Sequence, residues 1–174
     1  HQKQFKTNVL FAVGLHTVFK AFTQGYRPEN HTRSLFEALC SSNGFDAENL
    51  RKEAEATLNA ARQHSEQDAE EWITQFRLDD NCHYSRLMGI GVFSLLEASQ
   101  GDASNAKSSD LKDDAAGLAE QLNISATRLE KDVTLYLSSR ERMDQAVELM
   151  EETLASDRRK REQRQAEAAQ GSSK

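Results

Sequence analysis

The chain of 174 residues carries 22 Lys plus Arg against 28 Asp plus Glu, a net charge of −6, with one proline, eight glycines and two cysteines. At roughly 100 to 200 residues per domain this allows one domain with an appendage and excludes a second large one. Cys40 and Cys82 are too few to staple a small secreted scaffold, which makes a reducing compartment the default, and no apolar stretch approaches the ~18 to 20 residues that cross a bilayer.

A single proline also leaves too little punctuation for many short strands with tight turns, whereas long helices need none, so the composition predicts an all-α fold. In chain order, Phe5, Val9, Ala12, Val13, His16, Phe19, Ala21 and Phe22 recur at three-to-four-residue steps and predict a first amphipathic helix, stopped by Gly25 and Pro28. Leu35, Phe36, Leu39 and Cys40 mark a second, shorter helix that Gly44 closes. Asp46 is an N-cap type, and Phe45 with Leu50 stands at hydrophobic-staple spacing, so a third helix runs from Ala47 to about Gln63. Ser65 with Asp68 starts a fourth, which places Trp72, Ile73 and Phe76 on one face, and the most apolar helix, the fifth, spans about Cys82 to Ser99.

The segment 101–109, GDASNAKSS, is small, polar and without an apolar anchor, and reads as a linker between a helical core domain (1–100) and a thinner back part (110–170). All eight Phe residues and Trp72 lie at or before Phe93. The back part opens with a short helix, about Asp110 to Leu122. A long helix follows, with Ser125 as N-cap and Ile124 with Leu129 at staple spacing. Leu129, Val133, Tyr136, Arg140, Met143, Val147, Met150 and Leu154 step by four and three alternately, which is the seam of a coiled coil with one polar interruption. No Gly or Pro occurs from Leu118 to Gln170, so this arm is expected to run to about Ala168. Continuing the register gives Asp157, Arg161 and Arg164, and the last turns have no apolar face to bury.

One internal similarity stands out: LFAVGLHTVFKA (residues 10–21) aligns with LMGIGVFSLLEA (87–98), with Gly14 and Gly91 in register. Glycine inside a helix costs about 1 kcal/mol against alanine, so Gly14 and Gly91 are helix-packing candidates that admit a close backbone approach. Tyr84 and Arg86, opening the fifth helix, are candidates of the same kind.

Catalytic constellations are scarce. His1, His16, His31, His64 and His83 show no metal-ligand spacing, and no Ser or Cys nucleophile stands beside an identifiable base. Gly89-Ile90-Gly91 sits inside a helical pattern with no strand before it, which excludes a dinucleotide loop. Asn123-Ile124-Ser125 matches a glycosylation pattern but fits a turn plus N-cap. The reading is therefore non-enzymatic, with no cofactor and no metal.

Charge is more informative. Residues 157–164, DRRKREQR, hold five basic and two acidic side chains, net +3, which leaves −9 on the rest of the chain. Arg158, Arg159, Lys160, Arg161 and Arg164 are thus partner-docking candidates at the tip of an arm, for an acidic protein surface or anionic lipid headgroups. Nucleic acid is disfavoured, because the chain is acidic and the tip has no aromatic residue for stacking. Arg140 within the seam argues for a monomer, since two guanidinium groups would meet in a symmetric pair.

Two segments carry a family resemblance. Leu10 to Leu15, continuing through Thr17-Val18-Phe19, Gly25-Tyr26-Arg27-Pro28-Glu29 and Leu35 to Cys40, resembles the thylakoid formation protein family of cyanobacteria and chloroplasts, as does Tyr84-Ser85-Arg86-Leu87 through Ile90-Gly91 to Leu95-Leu96-Glu97. Gly89 departs from the family, where an aromatic residue or alanine is usual, and a further helical segment precedes the position of His1 there, so the N-terminal part is expected to be absent from this chain. The resemblance implies an all-helical, non-enzymatic auxiliary factor of photosystem II biogenesis and repair at the thylakoid membrane. It further implies peripheral attachment on the cytoplasmic or stromal side and support for the accumulation of FtsH-type membrane metalloproteases. The alternative is a peripheral protein whose basic tip docks on anionic thylakoid lipid.

Overall fold

The computed structural model describes residues 6–101 and 107–171. Among these, every regular element is helical: α1 (Val9–Phe22), a 3-10 turn (Glu29–His31), α2 (Thr32–Ser42), α3 (Ala47–Ala61), α4 (Glu66–Thr74), α5 (Arg86–Gln100), α6 (Ser108–Gly117) and α7 (Ala126–Gly171). The fold is all-α, as the proline count predicts.

Local chemistry sets the helix starts. Each of four N-caps lends a side-chain oxygen to a first-turn N–H that has no partner inside the helix. Asn8 accepts from the Phe11 N–H (2.9 Å), Asp46 from Asn49 (3.0 Å), Ser65 from Asp68 (3.3 Å) and Ser85 from Leu87 (3.4 Å). Asn8 sets the start of α1, a signal that periodicity alone passes over, and Phe5 lies outside the described residues. Ser85 likewise moves the start of α5 to Arg86, so the expected first turn from Cys82 is not helical. Of the expected linker 101–109, Ser108 and Ser109 already belong to α6, and 102–106 lie outside the described residues. The short helix ends at Gly117 rather than near Leu122. There Asn123 takes a positive φ of 58° and its amide donates to the Leu78 carbonyl (3.2 Å) and to Asp80 (3.1 Å), which explains that residue without any glycan.

The α1–α5 crossing is the most extensive helix pairing. Gly14 faces the Leu87 carbonyl, and a Cβ there would also stand 2.7 Å from the Leu87 carbonyl carbon and 3.1 Å from the Gly91 nitrogen. Reciprocally, Gly91 faces the Leu10 carbonyl, and a Cβ there would stand 2.9 Å from the Leu10 carbonyl carbon. Leu10 and Leu87 are equivalent positions of the sequence repeat, as are the two glycines. The repeat therefore meets itself about a local pseudo-twofold, each glycine receiving the backbone of the other copy.

Around that crossing one apolar cluster includes Phe36, Cys40, Leu50, Ala54, Ile73, Met88, Phe93 and Leu95, and continues through Leu111, Ala115 and Leu122 into Leu129, Val133 and Tyr136 of α7. The body is thus built from both sides of the 102–106 segment, and the first turns of α7 belong to it.

Candidate partner-docking surface

What positions α7 is a buried apolar strip together with two polar anchors, one within it and one just beyond it. Leu129 and Val133 are fully buried and Tyr136 nearly so. Between them, Asp132 accepts from the Tyr84 hydroxyl (3.1 Å) and from Arg86 Nε (3.0 Å), and so ties α7 to the opening of α5. Burial, then the neighbouring Asp132 carboxylate, pushes the Tyr84 phenol far above its ordinary range. Two turns on, Arg140 Nη1 donates to both carboxylate oxygens of Glu97 (2.9 and 3.2 Å), and its guanidinium lies over the rings of Tyr136 (5.6 Å) and Phe93 (6.0 Å). Burial works against the Arg140 charge, but Glu97 outweighs it and the guanidinium is held above its ordinary pKa. The polar interruption in the seam is therefore a paired, ring-stacked anchor.

Beyond Arg140 the seam loosens by degrees. Met143 and Val147 are half-buried, while Met150 and Leu154 are about half exposed, at 46% and 50%. Val147 and Met150 still touch the body: a Cβ on Gly25, in the turn after α1, would meet the Val147 methyl at 3.3 Å and the Met150 terminal methyl at 3.6 Å. The seam is thus used against the protein's own body.

From Glu148 to Ala168 every residue except Ser156 is exposed. Arg158, Arg159, Lys160, Arg161 and Arg164 stand on this free length. With successive residues turned by about 100°, their cations surround the helix instead of lining one face. Among the described residues none of the five makes an ion pair, and their one hydrogen bond runs from Arg159 Nε to the Ala155 carbonyl (3.3 Å). Leu154 is the last large apolar side chain of the sequence.

Tyr84 and Arg86 are brought together on Asp132, and Gly14 and Gly91 on each other's helices. The basic cluster is far along α7 from both. The sequence reading missed Asp132 and Glu97, although a lone arginine in an apolar seam signals that a carboxylate must come from another element. Among the described residues no group of three His, Cys, Asp or Glu side chains is placed to hold a metal ion, and no helix is long and apolar enough to cross a membrane.

A cleft of about 860 Å³ opens between α1, α3, α5, α6 and α7. Its carboxylates are committed, Glu97 to Arg140 and Glu55 to Arg51 (3.1 Å). His16 has no acid within hydrogen-bond reach among the described residues, and burial lowers its pKa. No acid–base pair is assembled there, and what remains facing the cleft is mostly donors.

Comparison with known proteins agrees with this architecture. The family model described as thylakoid formation protein matches residues 1–165. Protein Thf1 of Parasynechococcus marenigrum (strain WH8102) is 54% identical over 98% of this chain and 79% of its own length. Protein Thf1 of Trichormus variabilis is 34% identical over 95% of this chain and 77% of its own. A solved structure of Psb29 shares the fold, with a TM-score of 0.72 at 24% identity over 92% of this chain and 80% of that one. A family match over nearly the whole chain, on a helical body that carries one long C-terminal helix, places the chain in the thylakoid formation protein family.

Proposed function

We propose that this protein is a non-enzymatic auxiliary factor in photosystem II biogenesis and repair and in thylakoid membrane organisation, and that it binds FtsH-type thylakoid metalloprotease complexes and supports their accumulation. It works at the membrane periphery, on the cytoplasmic or stromal side, as a monomer. Family membership supports the thylakoid role; the observation that supports docking is α7 itself, fixed by Asp132 and Arg140 and carrying five unpaired cations clear of the body.

The encircling charge favours a protein socket over a lipid surface. A helix lying in a lipid interface needs an apolar face along its length, and beyond Leu154 this one has none. A ring of arginines suits an acidic cavity that surrounds a helix end.

The test is co-purification of the protease complex from thylakoid extracts with the tagged protein and with a variant carrying Arg158, Arg159, Lys160 and Arg161→Glu. The variant is expected to lose the protease while melting at the wild-type temperature, because the four side chains touch no part of the core. Undiminished co-purification removes the tip from the mechanism. Sedimentation with anionic liposomes is expected to be negligible; strong, salt-sensitive sedimentation would establish the lipid reading instead, since such attraction is screened within about 10 Å at 0.1 M salt.

A further inference from the structure

We propose that the cleft between α1, α3, α5, α6 and α7 is a binding site for a small polyanion, a molecule presenting several carboxylate or phosphate oxygens. At about 860 Å³ it falls among ligand-sized cavities. Its interior is built, not incidental: Tyr136 and Ser94 are buried, with Ser94 Oγ spent on the Ile90 carbonyl (2.7 Å), so the floor offers little further polarity.

The chemistry of the ligand follows from which groups are spent. On the acceptor side, Glu55 and Glu97 are each ion-paired with an arginine. On the donor side, Lys20 makes no hydrogen bond or ion pair among the described residues, and Arg62 gives only one bond, to Asn59 Oδ1 (2.6 Å), leaving most of its guanidinium free. The Thr17 and Gln24 side chains, also facing the cleft, are likewise unspent. Two cations and several neutral donors converge on a space whose carboxylates are already paired, and oxyanions satisfy such a set best. His16, on the same wall and kept neutral, stands close enough to report an arriving anion, whose charge favours its protonated form.

The experiment is a 1H–15N titration of the full chain with citrate and, separately, with inorganic pyrophosphate, sorbitol serving as neutral control. It uses the tip variant described above so that the basic arm does not compete. Saturable shifts confined to the residues around Lys20 and Arg62, with the His16 pKa rising, support the site, and the tighter of the two probes tells carboxylate from phosphate chemistry. The Lys20→Gln, Arg62→Gln double variant is expected to bind about tenfold more weakly or worse, since each lost partner is a charge-assisted hydrogen bond. Its melting temperature should not change, because both side chains are exposed. Absence of saturable shifts, shifts spread over the surface, or unaltered binding by the double variant would each overturn the assignment.

Discussion

Replacing Gly14 by alanine adds one methyl group at the most constrained point of the fold. Its Cβ would overlap the Leu87 carbonyl oxygen and stand 2.7 Å from the carbonyl carbon, against the 3.4 Å or more of ordinary contact. Backbone cannot swing aside as a side chain can, so α1 and α5 must separate by more than an ångström at this point. A gap of only about 0.5 to 1 Å already forfeits a quarter to a half of each dispersion contact, and this pair buries Leu10, Val13, Ile90, Val92 and Phe93. Overpacking typically costs about 1 to 3 kcal/mol, and overlap with rigid backbone lies at or beyond the upper end. Alanine returns about 1 kcal/mol through helix propensity, which leaves a net loss of about 2 to 3 kcal/mol. For a domain of this size that corresponds to roughly 4 to 12 °C in melting temperature. Far-UV circular dichroism melts read it directly, with Gly117→Ala as control: nothing lies within 4 Å of a Cβ there, so that substitution should be neutral or stabilise by up to about 1 kcal/mol. If Gly14→Ala melts with the wild type, the glycines do not set the helix separation and the reasoning fails.

Asp132→Ala should cost about 1 to 3 kcal/mol in urea unfolding, because the half-buried Tyr84 hydroxyl loses its acceptor, while the mostly exposed Arg86 adds little. The Tyr84 phenol titrates above its ordinary value of about 10 in the native state. The unfolded chain therefore loses that proton first, and stability should hold below about pH 10 and fall above it. Tyr84→Phe should flatten this alkaline limb in pH-dependent unfolding, with a residual slope from Tyr136, which burial also raises. Arg140→Ala should cost about 1 to 2 kcal/mol from the lost stacking and partly exposed ion pair, measured by the same unfolding curves, and Glu97→Gln should show only the smaller, ion-pair share of that loss, because the guanidinium keeps its rings.

Elements that depend on neighbours in sequence were legible, and those that depend on distant partners were legible only as needs. The Asp46 and Ser65 caps, the stop at Gly44 and the period of α7 follow from residues within one turn of each other. The glycine repeat announced a close approach because a buried-helix glycine has no local reason to exist. It did not reveal that each glycine takes the other copy's leucine carbonyl. The seam period was visible, but what covers it was not: the same 3.5-residue repeat serves a second chain or the protein's own α5 and α1, and only tertiary geometry chooses. The cleft left no trace in the sequence, since its free donors come from two separate helices, Thr17, Lys20 and Gln24 with α1 and Arg62 with α3, each looking like ordinary solvated surface.

The free part of α7 raises a question of helix physics that bears on docking. Nucleating an isolated helix is costly, and about 20 residues alone are marginal in water. The exposed length from Glu151 onward meets no body surface that could stabilise it. It is helical because Leu129, Val133, Tyr136 and the Asp132 and Arg140 anchors have already fixed the nucleus, so each further residue adds only a propagation step, helped by Ala, Glu, Gln and Arg, all good helix formers. Propagation steps near unity make the population of each successive turn fall gradually outward. The basic cluster sits where this population is lowest, and a partner that grips it must also hold those turns helical. Loosening the anchors at Asp132 or Arg140 is therefore expected to weaken the proposed docking in the co-purification assay without touching a docking candidate, because it removes the nucleus from which the tip is propagated.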